Sequence, residues 1–239
     1  MTELRDRVAI VTGSTKGIGR AIAERLAGAG AHVVVSARNE AEVAEAARAI
    51  GARGGGRALG VPCDVRSLEQ IRQLMQRTAG ELGGVDILVN NAGVGAFAAI
   101  DELSPDDWTR VIETNLTGAF YCSREVIPHL KRRGAGWIIN IGSLAGRYTM
   151  AGGTAYNASK WGLVGFSEAL MLDVRDAGIR VSCVMPGTVD TYFRDRPPTG
   201  DDWKLTPDDV ARTVVQLLEH DPRSLPSKVE LRPARPPKK

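Results

Sequence analysis

Short runs of β-branched and aliphatic residues alternate along this chain with longer stretches in which apolar positions recur every three to four residues. The first pattern is that of strands buried on both faces, and the second that of helices laid against them. Strands are expected at Val8 to Thr12, His32 to Ala37, Arg57 to Pro62, Val85 to Asn90, Trp137 to Ile141, Arg180 to Met185 and Val229 to Leu231. Between them, stripes such as Leu68-Ile71-Leu74-Met75 and Val210-Val214-Leu217-Leu218 mark the sheet-facing sides of helices. Asn39 with Glu42, and Ser67 with Gln70, have the spacing of a capping box; Ser104-Pro105 and Thr206-Pro207 place a cap residue before a proline at the first helical position. Strands separated by helices, repeated without an internal linker, build an open parallel sheet with helices on both faces. The expectation is an α/β, doubly wound, seven-stranded parallel sheet in a single domain spanning 1–239, with residues 233–239 as a basic tail.

Composition narrows the partners. Of 239 residues, 43% are hydrophobic and 25% charged, and 31 basic residues against 28 acidic ones give a net charge of +3. So small and scattered an excess supplies no footprint for nucleic acid or an anionic membrane. The three cysteines, Cys63, Cys122 and Cys183, lie far apart without CxxC spacing, and His32, His129 and His220 have no ligand spacing, so no metal is expected. Only four consecutive apolar residues, Val8 to Val11, stand near the start, which suits neither a signal peptide nor a membrane span. A cytoplasmic protein is the expectation.

The first strand runs into Thr12-Gly13-Ser14-Thr15-Lys16-Gly17-Ile18-Gly19 and then a helical stretch. Glycines at such a turn let main chain approach a pyrophosphate, which the free N–H groups and positive dipole end of the helix then bind. This is the signature of a Rossmann-like dinucleotide fold. An acid that binds the ribose 2′-hydroxyl of NAD belongs at the end of the second strand. There the chain reads Ser36-Ala37-Arg38-Asn39, and Arg38, with Lys16 from the loop, suits the 2′-phosphate of NADP(H) in preference to NAD(H).

Tyr156 and Lys160 are four residues apart at the start of another helical stretch, hence on one face of it. A tyrosine that titrates near 10 needs about 4 kcal/mol of help to act at neutral pH, and a neighbouring ammonium in a desolvated cleft can supply it.

Taken together, Thr12-Gly13, Lys16-Gly17-Ile18-Gly19, Cys63-Asp64-Val65, Asn90-Asn91-Ala92-Gly93, Asn115, Ser143, Tyr156, Lys160 and Pro186-Gly187 resemble, in type and order, the compact branch of the short-chain dehydrogenase/reductase family over residues 5 to about 191. The resemblance implies a catalytic set of Asn115, Ser143, Tyr156 and Lys160. Tyr156 would be the general acid/base, Lys160 would lower its pKa and hold the cofactor ribose, Ser143 would hydrogen-bond the substrate oxygen, and Asn115 would hold a water of a proton relay. It implies cofactor contacts at Gly13, Ser14, Thr15, Lys16, Gly17, Ile18, Gly19 and Arg38, and at Asp64 (through its carboxylate) and Val65. Asn90, Asn91, Ala92 and Gly93 would close over the ribose, and Pro186, Gly187, Val189 and Thr191 would secure the nicotinamide.

The residues expected near the carbonyl, Val94, Phe97, Leu144, Tyr148, Met150 and Tyr192, are largely apolar and favour an aliphatic or cyclic carbonyl compound over a sugar phosphate. The loop from Tyr192 to Leu205 is expected to close over substrate. By resemblance, a homo-tetramer or homo-dimer forms through helices near 106–133 and 154–177. The expected activity is an NADP(H)-dependent carbonyl reductase or alcohol dehydrogenase. Two alternatives stand beside it: a dinucleotide-binding redox sensor without turnover, and an epimerase or dehydratase, which would need a further substrate domain.

Overall fold

A computed structural model describes residues 4–193 and 197–235. Among them the strands are β1 (Val8–Thr12), β2 (His32–Ser36), β3 (Ala58–Gly60), β4 (Ile87–Asn90), β5 (Gly136–Ile141), β6 (Ile179–Pro186) and β7 (Lys228–Leu231). They form one seven-stranded parallel sheet in the order β3-β2-β1-β4-β5-β6-β7. All seven expected strands are present; β3 is shorter than expected, three residues where Arg57 to Pro62 suggested six.

Helices α1 (Gly17–Gly28), α2 (Glu40–Gly51), α3 (Leu68–Leu82), α4 (Pro105–Ile112), α5 (Gly118–Arg133), α6 (Thr154–Val174) and α7 (Pro207–Leu218) cover both faces. Successive strand residues point to opposite faces, so Ala9 and Val11 join α1 and α7 in one core, whereas Ile10 joins α3, α5 and α6 in another. No helix among the described residues is long and apolar enough to cross a membrane.

The helix starts follow the cap residues, with one correction. Asn39 and Ser67 each accept a hydrogen bond from the third helical N–H, but neither makes a full box. Gln70 instead spends its Oε1 on the N–H of Asp64, 2.8 Å away, fixing the cleft-lining turn ahead of α3. The reciprocal box is at Thr206 and Asp209, where Asp209 is one methylene shorter in reach than Glu yet still accepts from the Thr206 N–H at 2.9 Å.

α4 and α5 are one helix interrupted by a π turn at Glu113–Thr117. At the amino ends of the strands, buried Asp86 accepts from the Val8 N–H at 2.9 Å and pairs with Arg7 and Arg133. At the carboxyl ends, strand order reverses between β1 and β4, and there the sheet splits open into a crevice, as it must at a topological switch point.

Candidate active site

The crevice is a cleft of about 1540 Å³, larger than the roughly 300–1,000 Å³ that holds one small ligand. It has room for a dinucleotide and a second molecule together.

One end is the glycine loop. Thr12 rivets it to β4: its Oγ accepts from the N–H groups of Asn91 and Ala92, each at 3.0 Å, and donates to the Val89 carbonyl. Asn91 answers by donating to the carbonyls of Thr12 and Gly13, both at 2.9 Å. A β-carbon on Gly19 would lie 2.3 Å from the Gly13 carbonyl oxygen, so this glycine lets the loop fold onto its own helix. Gly17, with φ +59°, occupies a conformation L side chains rarely adopt and opens the α1 N-terminus to the cleft.

Thr15, Lys16, Ile18, Arg38, Val65, Gly93, Val189 and Thr191 line the cleft, together with Gly13, Gly17, Asp64, Asn91, Ala92, Pro186 and Gly187. Ser14 and Gly19 stand behind that wall. Ser14 is fully buried, donating to the Val11 carbonyl at 2.6 Å and accepting from the Ser36 N–H, so it ties the loop to β2 instead of facing a ligand. Asn90 likewise turns inward, donating to Ser123 at 3.1 Å and Asn140 at 2.8 Å. The Asp64 carboxylate is gripped by the Arg66 fork at 2.6 and 3.1 Å, which holds its pKa below the usual range. A guanidinium therefore accompanies that carboxylate on the cleft wall.

The residues expected to carry the chemistry are on the same cleft. Ser143, Tyr156 and Lys160 all line it. Lys160 is 5% exposed, donates to the Ile141 carbonyl at 2.9 Å, and holds its ammonium 5.8 Å from the centre of the Tyr156 ring. Burial lowers its pKa from the usual 10.5 to about 8. Ser143 accepts from the Ala145 N–H at 3.1 Å, which leaves its own hydroxyl proton to be given elsewhere.

Asn115 does not reach the cleft. Lying within the π turn, it accepts from the Val94 N–H at 2.8 Å and donates to the Val94 carbonyl at 2.9 Å and Ser159 Oγ at 3.0 Å. It clamps the strand that leaves β4, one of the uses to which π turns near functional sites are put.

Val94, Phe97, Leu144, Met150 and Tyr192 line the second end of the cleft. Tyr148 is set back from it and half exposed, its ring under the Arg232 guanidinium at 4.8 Å. Rings of Phe97, Tyr156 and Phe193 gather with centroids 5.4 to 6.3 Å apart. Of the loop expected to close, residues 194–196 lie outside the described residues; the remainder is tethered by Asp190, which accepts from the N–H groups of Thr199 and Gly200 at 2.8 Å.

Sequence reasoning missed several residues that form the wall or hold it in shape. Glu42 enters from the first turn of α2, held by Thr15 at 3.2 Å. Asn157 donates to the carbonyls of Ala145 and Tyr148 and accepts from the Met150 N–H, shaping the whole turn after Ser143. Its place beside Tyr156 was the available signal. Arg232, Pro233, Ala234 and Arg235 line the cleft as well, where a solvated tail had been expected from residue 233 onward; residues 236–239 lie outside the described residues.

The comparisons with known proteins agree with this geometry. The family model for the short chain dehydrogenases matches residues 7–200. An uncharacterized oxidoreductase of Staphylococcus saprophyticus is 35% identical over 98% of this chain and 100% of its own length. The 3-oxoacyl-[acyl-carrier-protein] reductase of Haemophilus influenzae is 38% identical over 79% of this chain and 76% of its own. Among solved structures, an alcohol dehydrogenase of the archaeon Thermococcus sibiricus, complexed with 5-hydroxy-NADP, superposes with a TM-score of 0.91 at 28% identity over 98% of this chain and 99% of the other. A metagenomic short-chain oxidoreductase in complex with NADP gives 0.86 at 36% identity over 98% and 100%. The chain belongs to the short-chain dehydrogenase/reductase family and is an oxidoreductase of that family.

Proposed function

We propose that the protein is an NADP(H)-dependent carbonyl reductase or alcohol dehydrogenase, a reading carried by the buried Lys160 ammonium beside Tyr156 on the same cleft wall as Ser143. The donor set at the opposite end fits a dinucleotide phosphate. Gly17 opens a helix N-terminus there, and Lys16 and Arg38 face the cleft without a carboxylate paired to either among the described residues. Glu42 opposes them in part, so the preference for NADPH rests on Arg38, which offers a planar fork to a 2′-phosphate. Relatives complexed with NADP and 5-hydroxy-NADP support that cofactor.

When bound, the nicotinamide supplies or accepts the hydride. The chain supplies the rest. Ser143 donates to the carbonyl oxygen, where negative charge develops. Tyr156 delivers a proton to that oxygen during reduction and removes it in the reverse direction. Lys160, held by the Ile141 carbonyl, favours the phenolate left behind through its charge. Both amide hydrogens of the Asn115 side chain are spent, so any share it has in proton transfer falls to its main chain.

The test is NADPH oxidation with a panel of ketones, keto esters, keto acids and quinones. Tyr156→Phe is expected to lower turnover by about 10² to 10⁴-fold. Retained turnover overturns the mechanism, and tight NADPH binding with no turnover in either protein favours a sensor. Arg38→Asp is expected to weaken NADPH far more than NADH; equal effects on both overturn the cofactor assignment.

Trp108, Phe120, Trp161 and Leu172, all exposed on α4, α5 and α6, with Phe120 edge-on to Phe166 at 6.3 Å, favour assembly through these helices as a homo-dimer or homo-tetramer. Light scattering on Trp161→Glu, expected to show a smaller particle than the parent, checks it. Three buried free thiols suit a reducing, cytoplasmic setting.

A further inference from the structure

The C-terminal strand leads the chain back into the cleft. β7 pairs with β6 so that Leu231 lies opposite Pro186, and the Gly187 N–H donates to the Leu231 carbonyl at 2.8 Å. Pro233 follows directly and packs so closely on Gly187 and Leu144 that a β-carbon on Gly187 would meet the Pro233 ring and the Leu144 side chain at 3.1 Å. Residues 232–235 are thereby fixed against the segments that carry Ser143 and Gly187, at the end of the cleft away from Arg38 and Lys16.

Two of these four residues are arginines. Arg232 is held from two sides, by Glu230 at 2.9 Å and by the Tyr148 ring beneath its guanidinium. Glu230 is itself shared with Arg147 at 3.0 Å. Arg235 lines the cleft and pairs with no carboxylate among the described residues. The neighbouring charges on the cleft, Asp190 and Lys204, already satisfy one another at 3.6 Å. Two guanidiniums facing the cleft, against a Glu230 that also serves Arg147, leave at least one cation uncompensated. The same lining is apolar at Leu144, which meets Pro233 over Gly187, at Met150, and at Phe97, whose ring lies 5.4 Å from that of Tyr156.

We propose that Arg235, with Arg232 beside it, forms an anion-recognition site at the substrate mouth, which selects carbonyl compounds bearing a carboxylate beyond a short apolar spacer. The inference rests on the reductase reading above and adds a substrate class to it. A guanidinium fork matches the two oxygens of a carboxylate, and the apolar wall matches the carbon chain between that carboxylate and the reacting carbonyl. Arg232 is pre-oriented by Glu230 and Tyr148, so it keeps its place when the second ion arrives.

The experiment compares 4-oxopentanoate and 6-oxoheptanoate with their methyl esters as substrates for NADPH oxidation. In parallel it titrates hexanoate and hexanamide into the NADP-loaded protein by calorimetry. At low salt, kcat/KM for at least one acid is expected to exceed that of its ester by tenfold or more. The excess is expected to shrink as ionic strength rises, because the site is open to solvent. Hexanoate should bind at least tenfold more tightly than hexanamide. Arg235→Gln is expected to lower the acid-to-ester ratio about tenfold, and Arg235→Lys to restore part of it. Esters favoured equally, hexanoate and hexanamide binding alike or not at all, or an Arg235→Gln effect that falls on NADPH affinity instead of on the acid, each overturns the proposal. Reduction of the esters or of a neutral ketone in those same assays leaves the reductase reading standing on its own, so the two can fail separately.

Discussion

At the glycine-loop end of the cleft the floor is main chain, fastened by side chains that Thr12, Ser14 and Asn91 spend on neighbouring backbone, with the charged groups of Lys16, Arg38 and Asp64 set around it. At the substrate end the wall is side chain, contributed by segments around 94–97, 143–150, 186–205 and 231–235, with aromatic rings in loose contact. The first kind of wall fixes one shape, and a single added methyl breaks it. The second tolerates substitution and sets what is bound.

The sharpest way to break that contrast is Gly19→Ala, whose β-carbon would press on the Gly13 carbonyl oxygen in a loop with no slack. A loss of about 3 kcal/mol in urea unfolding, the upper end for overpacking, is expected, with NADPH affinity collapsing alongside. A loop that accepts the methyl would show that the rivets do not hold it.

Lys160→Met is next. The folded chain lowers this amine's pKa from 10.5 to about 8 by burial, so between those values the unfolded chain holds a proton that the folded chain has released. Stability therefore rises with pH across the window from about 8 to 10.5, and the penalty is complete below it. At pH 7 the methionine variant is spared a charge penalty of about 3 kcal/mol, against about 1–3 kcal/mol for leaving the Ile141 carbonyl without a donor, so it is expected to be inactive yet no less stable than the parent, and to lose ground to it as pH approaches 10.5. Unfolding curves of both proteins across that range check the sign.

Asn157→Ala removes three hydrogen bonds that shape residues 145–150 and should cost about 2 kcal/mol, read as thermal midpoint, with a raised KM for the carbonyl substrate. The smallest effect belongs to Phe193→Ala. Loss of its ring contacts with Phe97 and Tyr156 is worth about 1 kcal/mol, or roughly fivefold in KM. A larger loss there than at Asn157 would invert the order of rigidity inferred for this end.

The same contrast explains what the sequence made legible. Local patterns announce local structure, so the seven strands, five of them buried and two at the sheet edges partly so, the glycine turn and the Tyr156–Lys160 spacing could all be read directly. Asn115 was read as part of the chemistry, but its side chain is given over to Val94, twenty-one residues away, a pairing no spacing rule anticipates. Arg235 was read as part of the tail, and Arg232 was given no role, because nothing local links them to Gly187; β7 does so only once β6 is in place. Glu42 was hidden by its role as an ordinary acid in the first turn of a helix.

The π turn at Glu113–Thr117 makes one more point, about indels. A π turn spends one residue more than regular helix would, and each residue carries about 100° of rotation. Deleting one residue there would let α4 and α5 fuse into an unbroken α-helix with Trp108 and Phe120 close to their present faces, because the wider turn already absorbs the rotation of the extra residue. The shortened protein would gain regular hydrogen bonds and lose the clamp on Val94. The extra residue is what lets the Asn115 side chain reach both Val94 and Ser159, so a one-residue deletion within 113–117 is expected to loosen that clamp before it disturbs the helices on either side.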